Sequence, residues 1–195
     1  MPTKDADRWN LRYQLSSDHS SRLPNLLLTN HSHLLPSVGL ALDIAMGLGV
    51  NAGYLLDHGL RVVGVDISNV AVTQVKKEFP AIIAVIADIE RFFIPPAKFD
   101  VILNFLYLQR NLWPDMIRGL KLGGLLFIDC LTEDMLIDHP EIDPIYLLKP
   151  GELQGIFTTP PVDMELEILH YFEGWSSSAS SHRRAVASLI GHRVT

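Results

Sequence analysis

Cysteine is nearly absent from this 195-residue sequence, since Cys130 is the only one. A single cysteine excludes an internal disulfide and any multi-cysteine zinc site. Positive charge is also scarce: 16 Lys and Arg stand against 22 Asp and Glu, which gives a net charge of −6 at pH 7. Because binding to a nucleic-acid backbone relies on clustered Lys and Arg, we expect no nucleic-acid partner.

Long apolar runs are missing as well, because Gly, Asn or Pro interrupts the longest uncharged stretches, whereas a membrane span needs roughly 20 predominantly apolar residues. The first residues, MPTKDADR, are charged and unlike a secretory signal. Hydrophobic residues nevertheless make up 48% of the chain, which is enough to fill a core. We therefore expect a cytoplasmic protein with one domain over 1–195 and no membrane partner. The sequence does not predict its oligomeric state.

Short apolar runs of β type alternate with helix-length segments through the middle of the chain. The runs cover 40–45, 61–66, 82–88, 99–104 and 125–130. Runs that are apolar on both faces are typical of strands buried between helices. The segments between them predict helices over 51–58, 68–79 and 106–120, and Pro114 predicts a break in the last of these. The alternation predicts an α/β fold with a Rossmann-like, doubly wound and mostly parallel sheet.

The two ends of the chain differ from this core, which we assign to 39–131. Residues 1–38 have helix-like stretches and no strand run, so they predict a helical cover. In the carboxy-terminal half, 132–195, alternating patterns over 162–173 and 184–193 predict a terminal antiparallel strand pair. The serine-rich stretch 174–181 predicts the hairpin loop between them.

A glycine loop follows the first predicted strand. Residues 47–52 read GLGVNA, which matches the pattern G-x-G-x-x-G/A directly before a helix. Small residues there allow a ligand to approach the backbone at a helix start, where amide groups point outward. The pattern fits nicotinamide dinucleotides and S-adenosylmethionine, and it is also typical of a turn that only packs a strand against a helix.

Acidic residues at three successive strand ends separate these alternatives. A carboxylate at Asp66 can accept hydrogen bonds from the two ribose hydroxyls of either cofactor. Asp43 would repel an anionic pyrophosphate, but it suits the ammonium and sulfonium groups of S-adenosylmethionine. Asp88 can accept from the adenine amino group, with Ile89 packed on the ring. Each acid could instead cap a turn, but the three together favour S-adenosylmethionine.

The predicted cofactor-binding residues come from these loops and strand ends: Asp43, Ala45, Gly47, Leu48, Gly49, Asn51, Asp66, Ile67, Asp88, Ile89 and Asn104. The predicted substrate contacts are Arg12, Tyr13, Tyr107 and Arg110. No catalytic residue can be assigned. His31 and His33 are candidate bases, but a solvated role suits each of them better, and we expect no metal site. Cys130 lies on a buried strand, where packing is the expected role.

Several motifs carry a family resemblance. They are LDIAMGLGVNAGYL over 42–55, VDIS over 65–68, WNLRY over 9–13, LKLGG over 120–124 and PGEL over 150–153. Together they resemble the class I S-adenosylmethionine-dependent methyltransferases, most of all the small tellurite-resistance-type enzymes. The motifs cover mainly residues 38–131. Two positions depart from that family's pattern, which usually has Cys where Met46 stands and Arg where Val50 stands.

The resemblance implies transfer of a methyl group from S-adenosylmethionine to a small-molecule nucleophile. Candidate acceptors are thiols, chalcogen oxyanions and halide-like soft nucleophiles. Two alternatives stay open at this point. The glycine loop also suits a nicotinamide-dependent oxidoreductase, and the chain could bind S-adenosylmethionine without catalysis.

Overall fold

The computed structural model describes residues 4–15, 23–158, 166–176 and 183–194. Seven strands form a sheet with the order β3-β2-β1-β4-β5-β7-β6. The sheet is mostly parallel and ends in an antiparallel pair, so the predicted fold class is confirmed. The chain divides into two compact units, 1–93 and 94–195, and its description as one domain stays a prediction. Among the described residues, no helix is both long and apolar enough to cross a membrane.

The first unit carries the amino-terminal helices and three parallel strands. Its elements are α1 (Lys4–Leu15), α2 (Leu26–Asn30), β1 (Gly39–Ile44), α3 (Val50–Asp57), β2 (Leu60–Asp66), α4 (Asn69–Glu78) and β3 (Ile83–Ile86). A short 3-10 turn covers Ser32–Leu34 and another covers Ile89–Arg91. Residues 23–38 contain α2 and a 3-10 turn, and no strand, whereas the helical cover predicted over 1–38 stays a prediction.

Parallel pairing brings the acidic strand ends of this unit to one edge. Residue Asp43 lies opposite Gly64 in the pairing of β1 with β2, and Asp66 lies opposite Ile86 in the pairing of β2 with β3. Most apolar side chains of β1 and β2 are buried, because helices pack on both strands. Since parallel strands end on the same side, their carboxyl ends form the edge where α/β sheets bind ligands.

The second unit contains four strands and two helices. Its elements are β4 (Phe99–Phe105), α5 (Trp113–Gly119), β5 (Leu120–Leu131), α6 (Glu152–Thr158), β6 (Leu166–Ser176) and β7 (Arg184–Arg193). Strand β4 pairs in parallel with β5, whereas β7 pairs antiparallel with both β5 and β6. The last strand has the bounds that the sequence predicts.

The predicted helix over 106–120 is wrong in its first half. Leu106 has a φ of 56°, a left-handed conformation that ends β4 and cannot begin a helix. A 3-10 turn follows at Arg110–Leu112, and α5 begins only at Trp113. Pro114 stands in the first turn of α5, where its missing N–H has no cost.

Two strand predictions also need adjustment at their ends. Strand β3 covers Ile83–Ile86 and is shorter than the predicted run over 82–88, because Asp88 begins a 3-10 turn. Strand β6 continues through Gly174 to Ser176, beyond the predicted end at residue 173. Residues 162–165 and most of the predicted loop 174–181 lie outside the described residues.

An arginine clamp holds the loops of the second unit together. The Arg110 guanidinium donates to both carboxylate oxygens of Glu152 at the start of α6. It also donates to the carbonyl oxygens of Ile145 (3.2 Å) and Leu147 (2.9 Å). The contact raises the pKa of Arg110 and lowers the pKa of Glu152, chiefly through their side-chain hydrogen bond. The loop after β4 is thereby fixed to the segment that precedes α6.

Arg110→Gln is expected to lower the free energy of unfolding by about 1–3 kcal/mol, because it leaves the largely covered Glu152 carboxylate without its charged partner. Urea denaturation measures this loss. Arg118→Gln is the matched control, since the ion pair of Arg118 with Asp115 is exposed and should cost no more than about 0.5 kcal/mol. Equal losses in the two variants would contradict the clamp.

Candidate functional site

Left-handed residues shape the loop after β1. Ala45, Gly47 and Gly49 have φ values of 55°, 55° and 75°, so the backbone turns sharply before α3 begins at Val50. Glycine adopts this region without strain, whereas Ala45 does so at a cost of about 1 kcal/mol or more. A strained alanine beside two glycines is typical of a loop whose backbone geometry is used for binding.

The Asp66 carboxylate supports this loop from β2. Its Oδ2 accepts from the backbone N–H of Gly47 at 2.8 Å, and its Oδ1 accepts from the N–H of Ser68 at 2.8 Å. The backbone N–H of Ile67 is a third donor. Burial raises the pKa of Asp66, and these three hydrogen bonds act against that rise. Asp66 therefore fixes the loop while standing at the strand end predicted for ribose.

Asp43 is a buried carboxyl with too few donors. Its side chain is 2% exposed, the Ala52 backbone N–H donates to it, and its Oδ2 has no hydrogen-bond partner among the described residues. Burial, together with the nearby Asp66 charge, raises the pKa of Asp43 to about 8, although the Ala52 N–H acts against the rise. An orphaned carboxyl oxygen in such a place fits a ligand that brings hydrogen-bond donors and positive charge.

Helix α1 lies over the glycine loop. A β-carbon built at Gly47 would stand 2.8 Å from the Tyr13 hydroxyl oxygen, so that hydroxyl already lies against the loop. Asn10 anchors the helix, because its Oδ1 accepts from the Ser68 hydroxyl at 2.7 Å. The Trp9 ring stacks on Tyr13 with centroids 5.8 Å apart, and the Arg12 guanidinium lies 5.0 Å from the Trp9 centroid. The structure thus brings Tyr13 to the loop and Arg12 to the outer side of Trp9.

Other predicted cofactor residues in the first unit have structural partners of their own. Asn51 accepts from the backbone N–H of Asn25 at 2.8 Å and so connects α3 to α2. Asp88 accepts from the N–H of Glu90 at 3.1 Å and caps a 3-10 turn. Ile89 and Leu48 are buried. These contacts leave their roles toward a cofactor as predictions.

The predicted residues of the second unit behave differently from one another. Asn104 is fully buried on β4, and neither its Oδ1 nor its Nδ2 has a partner among the described residues. Tyr107 is half-buried, and its carbonyl oxygen accepts from Cys130 Sγ at 3.5 Å. Arg110 is engaged by Glu152 and two carbonyls, as described above, so its predicted substrate contact would compete with the clamp. Burial raises the pKa of Cys130, which suits packing.

The amino-terminal histidines have ordinary surroundings. Nδ1 of His31 lies 2.9 Å from the Leu27 carbonyl oxygen, and the His31 and His33 rings are 6.1 Å apart between centroids. No group of three or more His, Cys, Asp or Glu side chains in the described part of the chain could hold a metal ion.

Two packing features at the glycine loop were not predicted from the sequence. Met46 is buried, and a β-carbon at Gly64 would lie 2.1 Å from its sulfur, so Gly64 provides the space that the long side chain needs. The pairing of β1 with β2 was the only signal that could have linked these two positions. The anchor formed by Asn10 was also missed, although Asn10 lies inside the motif WNLRY.

Comparison with protein families supplies a match over the glycine loop and the strands around it. Residues 41–124 match the family described as "Methyltransferase domain". The matched segment, which is less than half of the chain, resembles a methyltransferase domain. The match agrees with the resemblance to methyltransferases drawn from the motifs, and its tellurite-resistance subgroup stays a prediction. No curated protein sequence matches the chain significantly.

Solved structures of methyltransferases share the fold of this chain. A methyltransferase from Methanosarcina mazei that depends on S-adenosylmethionine is 16% identical, with a TM-score of 0.68 over 89% of this chain and 99% of that one. TehB from Haemophilus influenzae is 17% identical, with a TM-score of 0.66 over 97% of this chain and 67% of its own. A phosphoethanolamine-type N-methyltransferase from Haemonchus contortus, solved with S-adenosylhomocysteine, is 18% identical, with a TM-score of 0.60 over 87% of this chain and 52% of that one. Sequence identities this low support a shared fold but do not identify a shared substrate.

Asp43→Asn is expected to change how stability depends on pH. Between about pH 4 and 8 the folded protein keeps a proton on Asp43 that the unfolded chain has released, so its free energy of unfolding falls as pH rises, by about 1.4 kcal/mol per unit. The amide stays neutral, so the free energy of unfolding of the variant should fall less across this window. At pH 9 the variant should therefore be more stable than the wild type.

Thermal unfolding from pH 5 to 9 measures the effect. Asp57→Asn, at an exposed acid of α3, is the control and should follow the wild-type profile. If the melting temperatures of Asp43→Asn and the wild type change with pH in the same way, Asp43 is already ionised in the folded protein.

Proposed function

We propose that this methyltransferase domain transfers the methyl group of S-adenosylmethionine to a small-molecule acceptor. The observation that carries the proposal is the orphaned Oδ2 of the buried Asp43 beside the glycine loop. The ammonium group of S-adenosylmethionine supplies the donors and the positive charge that this oxygen lacks. The residues present therefore fit the cofactor.

The same oxygen argues against a nicotinamide dinucleotide. A pyrophosphate at this loop would bring negative charge toward Asp43 and Asp66, which already repel each other in a buried setting. A neutral Asp43 would soften that repulsion, but it would still leave the carboxyl without a complementary partner. The oxidoreductase alternative is therefore the weaker one.

The binding roles follow from the surroundings of each side chain. Asp43 would pair with the ammonium group, Asp66 with the ribose hydroxyls, and Gly47 would allow the ligand to approach the loop backbone. Asp88 and Ile89 stay candidates for the adenine. When bound, S-adenosylmethionine supplies a methyl group on a sulfonium that is already a good leaving group, so the protein contributes mainly orientation and exclusion of water.

The acceptor is proposed as a small nucleophile, such as a thiol or a chalcogen oxyanion. Support comes from the tellurite-resistance-type motifs in the sequence, and TehB is among the proteins of similar fold. The net charge of −6 gives no electrostatic attraction for nucleic acid. Turnover with a panel of thiols, tellurite and selenite, followed by formation of S-adenosylhomocysteine, tests this assignment. Cofactor binding without turnover on the whole panel would favour a binding protein.

Asp66→Asn is expected to weaken binding of S-adenosylhomocysteine tenfold or more, because it removes the charge from two hydrogen bonds to ribose, each worth about 1.5–3 kcal/mol. The amide oxygen can still accept from the Gly47 N–H, whereas the amide nitrogen cannot accept from the Ser68 N–H, so the fold of the variant is compared with that of the wild type by circular dichroism. Calorimetric titration with S-adenosylhomocysteine and NAD measures both affinities. Asp57→Asn serves as control, and unchanged affinity in folded Asp66→Asn would show that Asp66 only supports the loop.

Removal of α1 is expected to weaken the binding of S-adenosylhomocysteine several-fold, because Tyr13 then no longer covers Gly47 and water reaches the ligand. A variant lacking residues 1–15 tests this, together with Asn10→Ala, which removes only the anchor to Ser68. In the full chain, the ligand should also protect Arg8 and Arg12 from trypsin. Wild-type affinity in the shortened protein, without ligand protection in the full chain, would contradict the role of α1 as a cover.

A further inference from the structure

Two carboxyl groups share the buried edge of the first unit, but their donors are unequal. Three backbone N–H groups donate to Asp66, from Gly47, Ile67 and Ser68. Asp43 receives one, from Ala52, and its Oδ2 has no partner among the described residues. Two ionised carboxylates that interact in a buried place destabilise each other, so the group with fewer donors is the one that stays protonated.

We propose that binding of the cofactor at the glycine loop expels one proton from Asp43, whose carboxyl is neutral in the ligand-free protein and ionised when it faces the ligand's ammonium group. The inference rests on the proposed function for the identity of the ligand. The O–H bond of Asp43 breaks, its proton passes to the solvent, and the ammonium group keeps its three protons. The result is a buried ion pair in place of a neutral acid beside a cation.

The groups around Asp43 support this exchange. Strand β2 contributes the Asp66 charge, which opposes ionisation of Asp43, and the start of α3 contributes the Ala52 N–H, which favours it. None of the groups that shift the pKa of Asp43 to about 8 is a cation. An ammonium ion in contact would supply the positive charge that the site lacks and lower this pKa.

Proton release makes the affinity depend on pH in a defined direction. Below the raised pKa of about 8, each unit of increasing pH should strengthen binding close to tenfold, because one proton competes with the ligand for Asp43. Above that value, the dependence should level off. A methyltransferase with this linkage binds its cofactor more weakly when the surrounding solution is acidified.

Calorimetric titration of the full chain with S-adenosylhomocysteine tests the exchange without any methyl acceptor. The titration is run at pH 7 in phosphate and in Tris, whose ionisation enthalpies differ, so that the difference in observed heat counts the protons released. We expect close to one proton at pH 7 and a smaller release as the pH rises through 8, where the free protein has already lost part of this proton. Asp43→Asn should bind at least tenfold more weakly and release almost none, whereas Asp57→Asn should behave as the wild type.

The outcomes separate this inference from the proposed function. Binding of S-adenosylhomocysteine at pH 7 with the same heat in both buffers would overturn the proton exchange and leave the proposed cofactor intact. Release of one proton by Asp43→Asn would also overturn it, since the proton would come from another group. If the wild-type protein does not bind S-adenosylhomocysteine, the proposed function fails, and this inference fails with it.

Discussion

Burial of two interacting carboxyl groups at the ends of β1 and β2 is the constraint on which the candidate site depends. Asp66 satisfies its charge with backbone N–H groups and in doing so shapes the glycine loop. Asp43 has no comparable set of donors and stays an acceptor without a partner at Oδ2 among the described residues. A site built in this way is stabilised by a cation, and the ammonium group of S-adenosylmethionine is such a cation.

The covering helix and the loop are parts of the same arrangement. Asn10 contacts the residue that caps α4, and Tyr13 contacts the glycine whose left-handed backbone opens the loop. The strain at Ala45 persists because β1, α3 and the Asp66 hydrogen bond to Gly47 fix the residues around it. In the second unit, the Arg110 clamp with Glu152 fixes the loop after β4 by comparable means.

Much of this could be predicted from the sequence, because the informative signals are local. Apolar runs, and Gly47 and Gly49 after a strand, predicted the fold class correctly, and acids at strand ends supplied the candidate binding residues of the first unit. The helix over 106–120 was misassigned because nothing in its composition indicates the left-handed Leu106. Contacts between residues distant in sequence could not be predicted from local patterns. Examples are the contact of Arg110 with Glu152 and that of Met46 with Gly64. Burial raises the pKa of Asp43, and a sequence motif does not report burial.

The most direct measurement of the central claim is a crystal structure of the protein with S-adenosylhomocysteine. The account predicts the ligand's amino nitrogen at about 2.7–2.9 Å from Asp43 Oδ2 and both ribose hydroxyls at the Asp66 carboxylate. A structure in which the ligand lies elsewhere, with Asp43 Oδ2 still lacking a partner, would contradict it.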